Sequence, residues 1–381
     1  MGRGATRVVC DCLRGEGVTG SVIKHVCGGT PMFLSIVSER LLKHWIRQSV
    51  ALAVCATLVC LSVMDQARAE AKDVRISKGY GILYLPLIVM EQQKLLEKHA
   101  AAAGLGPVQV NWVTLDGGNV INDAMLAGTL DIAGIGAPGF ITLWSKARGI
   151  AASEVIGLSG LSATSLYLNT NNPKIKSLKD FGPTDKIALP GIKTSLSAVV
   201  LQMLVAHEFG RENFNKLDPI TVGLSHPDGL IALTGGKTEI TAHFTSPPFS
   251  YLELKDPKIT RVVNSVDVIG NITLDVVFAP KRFVDANPQM IKAFLAAQEE
   301  ANELIAAKPE QAADIFVQSS KVKVSTEEVL SILKDKDTRF STTPDKVMDF
   351  ADFMALAGSI KTKPKDWKEL FIPQLHGRSG S

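Results

Sequence analysis

Residues 115–139, LDGGNVINDAMLAGTLDIAGIGAPG, constrain the fold more than any other stretch of the chain. In 25 residues they set a glycine pair before a helix, a helix stop at Ala127-Gly128, a short strand and a second glycine-rich turn. Gly117 and Gly118 let backbone N–H groups approach a ligand with no Cβ in the way, and Asn119 is a natural helix cap. Leu130 to Ile135 reads as a buried strand, and Gly136, Ala137 and Pro138 turn it into another helix, whose first turn tolerates proline. Two helix N-termini then point at one sheet edge, an anion-binding arrangement made from backbone alone.

A rival reading exists, because Gly134, Gly136 and Gly139 spell G-x-G-x-x-G between strand and helix. A dinucleotide fingerprint also requires the first strand of its sheet and an acid closing the next strand. Here the strand counts as the third, and Glu154 opens the next strand instead of closing it. The match is weak evidence for a nucleotide.

The N-terminal part reads as a leader. Arg40, Lys43, His44 and Arg47 precede a 16-residue apolar run, Ser49 to Met64, and Ala67-Arg68-Ala69 follows as an A-x-A cleavage site. The run falls short of the roughly 20 residues that span a bilayer. Residues 1–69 are therefore expected to be a secretory signal ending at Ala69, with an uncleaved anchor as the alternative. They hold 8 of the 41 Lys and Arg and 4 of the 38 Asp and Glu, leaving 33 basic against 34 acidic side chains. The basic excess belongs to the leader, which removes the main support for nucleic-acid binding. All five cysteines, at positions 10, 12, 27, 55 and 60, also precede the cleavage point. The exported chain is expected to have no disulfide, thiolate nucleophile or cysteine metal site, which suits a bacterial periplasm.

From Ala71 onward strands alternate with helices. Strands are expected at 73–77, 108–115, 130–135 and 154–158, with helices at 84–103, 119–127 and 140–147. Two stretches, Leu166 to Asn169 and Thr273 to Ala279, read as crossings between lobes. Between them come strands at 186–189, 220–224, 239–244 and 261–264 and a strong helix capped by Thr194 or Ser195. The last hundred residues are helical, at 288–307, 309–318, 326–333 and 344–356. Such alternation predicts mostly parallel sheets covered by helices, with ligands at the carboxyl ends of the strands.

Gly117, Gly118, Asn119, Gly136 and Ala137 are candidate ligand contacts, or simply turn residues. Thr194 and Ser195 offer hydroxyls at a helix start, or a cap and nothing more. Ser162 and Thr164 lie where a strand leaves the first lobe, and such residues as often satisfy only local backbone. His243 ends a strand and is either a ligand contact or a core histidine. Tyr80 and Gly81 belong to the loop after the first strand, and Tyr80, Tyr84, Phe244 and Phe249 are candidates for an apolar tail. The histidines show no metal-ligand spacing. Gly235-Gly236-Lys237-Thr238 lacks the earlier glycine of a P-loop, since Ile231 stands there, and residues 157–161 fail the nucleophile elbow. No catalytic constellation emerges.

With these residues in view, the chain resembles the periplasmic solute-binding proteins of ABC importers, of the nitrate/sulfonate/taurine type that shares its domain with the NMT1/THI5-like proteins. The resemblance rests on Gly81 to Glu91 (GILYLPLIVME), Leu115 to Pro138, Ser165 to Thr170 and Ala188 to Met203 (ALPGIKTSLSAVVLQM). It implies an α/β, two-lobed periplasmic-binding-protein-like fold of type II, each lobe a mostly parallel sheet flanked by helices, the two joined by crossing strands. Residues 70–167 and 275–381 would form lobe 1 and residues 168–274 lobe 2. The implied function is capture of a small organic anion, sulfonate-like, for a permease in the inner membrane, by a monomer without cofactor, metal or nucleic acid. THI5-type pyrimidine synthases carry a cysteine-rich motif that residues 70–381 lack, which argues against an enzyme. A pyrimidine-related enzyme of the same fold is the alternative, and a receptor-presenting sensor a third reading.

Overall fold

A computed structural model describes residues 70–320 and 322–381. The leader expected at 1–69, with its cleavage site and cysteines, lies outside these residues.

The chain begins with β1 (Asp73–Lys78), α1 (Leu85–Gln92), α2 (Leu95–Ala102), β2 (Gln109–Thr114), α3 (Gly118–Leu126), β3 (Ile132–Gly136), α4 (Ala137–Ala147) and β4 (Val155–Ala163). It continues with β5 (Tyr167–Thr170), β6 (Ile187–Leu189), α5 (Leu196–Phe209), β7 (Thr221–Gly223), α6 (His226–Gly235), β8 (Ala242–Thr245), α7 (Phe249–Glu253), β9 (Thr260–Asn264) and α8 (Val266–Ile269). It ends with β10 (Asp275–Pro280), α9 (Lys281–Ala286), α10 (Pro288–Ala307), α11 (Pro309–Ser319), α12 (Thr326–Leu333), β11 (Arg339–Phe340) and α13 (Val347–Leu356).

The strands form two sheets, in the orders β11-β4-β10-β3-β1-β2 and β7-β6-β8-β5-β9. β2, β1 and β3 run parallel, and β10 lies antiparallel between β3 and β4. In the second sheet β7, β6 and β8 run parallel, and β5 lies antiparallel between β8 and β9. Each sheet is therefore parallel in plan: β10 and the short edge strand β11 run against the first sheet, and β5 alone runs against the second. β3 and β10 are buried along their whole length, as central strands covered on both faces must be. Phe140 on α4 packs on Phe278 of β10 and on Phe371, with ring centroids 5.4 and 5.8 Å apart.

Two expectations need correction. The single helix expected at 84–103 is two, because Lys94 adopts a left-handed φ of 51° and turns the chain so that Leu95 and Leu96 are buried. Packing of those leucines outweighs the local backbone cost. Asn119 does not cap α3. The cap position is Gly117, at φ 88° with no side-chain bond, and Asn119 is the second residue of the helix and exposed. Two glycines of the dinucleotide-like pattern, Gly134 and Gly139, are packed tightly against side chains. A Cβ on Gly134 would strike Leu87 at 2.7 Å, and one on Gly139 would strike Ile135 at 2.8 Å, so these glycines serve close packing.

Candidate functional site

The carboxyl ends of the parallel strands in both sheets converge on one small cavity of about 40 Å³. From the first sheet it is walled by Tyr80 and Tyr84 after β1, by Asp116, Gly117 and Gly118 after β2, by Gly136 at the end of β3 and by Asp275 at the start of β10. From the second come Pro190 and Ser195 after β6, His226 after β7 and Ser246 after β8. A water needs roughly 10–15 Å³ by this measure, so the cavity holds only a few.

The two walls are hydrogen-bonded to each other. The Ile82 N–H donates to the Pro247 carbonyl at 3.0 Å, the Thr194 hydroxyl to Asn119 Oδ1 at 2.9 Å, and the His226 N–H to Asp116 Oδ2 at 3.1 Å. Gly81, at φ 95°, permits the first of these, since a Cβ there would lie 2.8 Å from the Pro247 oxygen.

Charge at the cavity is acidic. Asp116 accepts N–H bonds from Gly117 at 3.0 Å and from His226, so its carboxylate fills the position at two helix starts that an external anion would use. Burial raises its pKa despite those two bonds. Asp275 is 1 % exposed, and burial pushes its carboxyl up to about 7, with the nearby Asp116 adding to the effect. The Tyr84 hydroxyl donates to Asp275 Oδ1 at 2.9 Å, which works the other way but less strongly. Burial, with the neighbouring His243, holds His226 well below the ordinary histidine range, so its ring is neutral near pH 7. Its Nδ1 lies 2.8 Å from the Thr245 hydroxyl.

The expected site residues divide into two groups. Tyr80, Gly117, Gly118, Gly136 and Ser195 line the cavity. Ser195 Oγ is already used there, donating to the Gly191 carbonyl at 2.6 Å and accepting the Ala198 N–H at 3.2 Å as the cap of α5. The others stand off the cavity wall. Gly81 borders a separate hollow of about 240 Å³. Asn119 and Thr194 bond each other at the rim, and the Ala137 N–H is taken by the Leu274 carbonyl at 2.8 Å. Thr164 shares a bond of 3.0 Å with Thr338, and Ser162 is buried beside β10 with its hydroxyl unpartnered. His243 lies behind the wall, fully buried, with Nδ1 2.5 Å from Glu253.

Sequence reasoning missed Asp116, Asp275, His226 and Ser246. Asp275 had a signal: it is the one acid in the run TLDVVFA, where a buried apolar strand gives a carboxylate no reason to be. Among the described residues no cluster of three or more His, Cys, Asp or Glu could hold a metal, and no helix is long and apolar enough to cross a membrane.

Comparison with known proteins agrees with this geometry. Residues 141–312 match the family model described as NMT1/THI5 like. A protein of Brucella abortus (strain 2308), described only as a candidate binding protein, is 26 % identical over 298 residues, covering 74 % of this chain and 85 % of its own. The alkanesulfonate-binding protein SsuA of Xanthomonas axonopodis pv. citri, bound to MOPS, superposes with a TM-score of 0.60 at 16 % identity, over 77 % of this chain and 96 % of its own. The periplasmic nitrate-binding protein NrtA of Synechocystis PCC 6803 gives 0.61 at 14 %, over 77 % and 83 %. These relatives and neighbours are all described as binding proteins. Residues 141–312 are therefore similar to NMT1/THI5-like proteins, and the chain has the periplasmic binding protein fold.

Proposed function

We propose that this chain is the extracytoplasmic substrate-binding component of an ABC import system, capturing a small ligand between two lobes and delivering it to a membrane permease. The lobes would be residues 70–167 with 275–381, and residues 168–274. The observation that carries this reading is the cavity itself, built from the strand ends of two separate sheets and bridged by hydrogen bonds across its mouth. A ligand held from both sides favours the closed arrangement over an open one, which is the differential affinity a capture device needs. Tyr80, Gly117, Gly118 and Gly136 are the contacts we assign to the ligand among those the sequence suggested.

Likeness to sulfonate- and nitrate-binding proteins favours a small organic anion. The acids at the cavity wall oppose it. Export rests on the leader at residues 1–69 and on the periplasmic neighbours; intact mass of the protein from a periplasmic extract should begin at Glu70, and a species retaining earlier residues would sink the cleavage at Ala69.

The test of function is a thermal-shift screen against small ions and metabolites, followed by mass spectrometry of the compound that binds. Recovery of that compound unchanged, with loss of its uptake when the gene is deleted, is expected. Conversion to a product would instead favour the enzyme reading.

A further inference from the structure

The cavity wall carries acceptors that nothing in the chain satisfies. Asp275 Oδ2 has no hydrogen-bond partner although the residue is 1 % exposed, its other oxygen being taken by Tyr84. Ser246 Oγ, equally buried and on the opposite wall, is also unpartnered. Leaving a buried carboxylate oxygen unpaired costs far more than leaving one in water, so it invites a donor from outside the chain. Asp116 plays a different part. Both its oxygens are occupied by backbone N–H groups, and it acts as a second, fixed negative charge.

The titratable groups around Asp275 are Tyr84 and Asp116, with Tyr80 and His226 farther along the wall and His243 and Asp228 acting on Asp116 from behind. No lysine or arginine lines the cavity among the described residues. Neutral His226 supplies no positive charge either. An oxyanion would meet two carboxyl groups and find the N–H groups of Gly117 and His226 already turned to one of them.

Resting on the binding-protein reading above, we infer that the cleft recognises a small organic cation, a protonated amine or amidinium, whose N–H groups are accepted by Asp275 Oδ2 and Ser246 Oγ beside the Asp116 carboxylate. The charge runs opposite to that of the ligands named for the sulfonate- and nitrate-binding neighbours. It also fixes the sense of the pH dependence. A cation needs Asp275 ionised, so binding strengthens as pH rises through about 7.

The experiment is calorimetry of the purified protein with methylammonium, benzamidine and ethanesulfonate at about pH 6 and about pH 8. At least one of the two cations should bind, about tenfold more tightly at the higher pH. Asp275→Asn should weaken that binding about tenfold or more, and Ser246→Ala by a smaller factor. Asp275→Asn keeps the side chain's shape and removes an unpaired buried charge, so it should fold; Ser246→Ala gives an independent reading. Silence from both cations at both pH values overturns the inference, as does cation binding that neither variant alters. Binding of ethanesulfonate that Asp275→Asn strengthens also overturns it. If that anion shrinks the radius of gyration in small-angle scattering, capture between lobes still stands and only the charge of the ligand is wrong. A cation that binds through Asp275 without such shrinkage upholds the inference and removes the clamp.

Discussion

At the scale of single residues, Asp275 sets the electrostatics of the cleft. Its carboxyl titrates near 3.8 when unfolded and near 7 when folded, because burial penalises the charged form. Between those values the folded chain holds a proton that the unfolded chain has lost. The unfolding free energy therefore falls as pH rises from about 4 to about 7, by on the order of 4 kcal/mol if the full difference is expressed. Asp275→Asn should flatten this slope and stabilise the ligand-free protein above pH 7. Urea denaturation across that range decides it, and equal slopes in parent and variant would show that Asp275 ionises freely. A second residue-scale prediction concerns Gly229, where a Cβ would lie 2.5 Å from His243 Nε2. His243 is fully buried and held against Glu253 on its other side, so it has nowhere to move. Gly229→Ala should cost about 1–3 kcal/mol of stability, as overpacking does, and thermal unfolding within a degree of the parent would count against it.

At the scale of elements, the helices and strands were legible where periodicity and caps agreed. The start of α5 was read from Thr194-Ser195, and the cap is Ser195. Ser195→Ala should lower stability by about 0.5–2 kcal/mol, seen as a shifted denaturation midpoint at unchanged slope. Thr194→Ala should leave that midpoint nearly unchanged, because the Thr194 hydroxyl bonds Asn119 at the cleft rim instead of capping the helix. What the sequence hid follows a pattern. The break at Lys94 depends on a lysine in a left-handed conformation that only packing selects. The short helices α7, α8 and α9 are too brief for any periodic signal to rise above chance. Glycines announced the site's backbone, since a turn needs them whatever surrounds it. Its polar side chains did not announce themselves in the same way, because Asp116 and Ser246 come from loops and His226 from the start of α6, and they meet only in three dimensions. An oxyanion site was therefore the natural expectation from Gly117 and Asn119, and the carboxylate one residue earlier is what fills it.

At the scale of the whole molecule, the arrangement of two sheets makes closure a separable event, and Gly136 is where it can be separated from folding. This glycine ends β3 in the first sheet, and a Cβ built on it would lie 2.7 Å from the Cβ of Leu196, which opens α5 over the second sheet. The atom it strikes is fixed to a helix backbone and cannot swing aside. Its own φ of −56° suits any residue, so alanine costs the local backbone nothing. Gly136→Ala should therefore fold with near-parental stability while holding the two walls apart. The bonds from His226 to Asp116 and from Thr194 to Asn119 would lengthen, and the radius of gyration in small-angle scattering should exceed that of the parent. Ligand affinity should drop about tenfold or more, since each wall would hold only its own half of the contacts. A variant with the parent's radius of gyration and affinity would mean that the meeting of Gly136 and Leu196 does not limit closure.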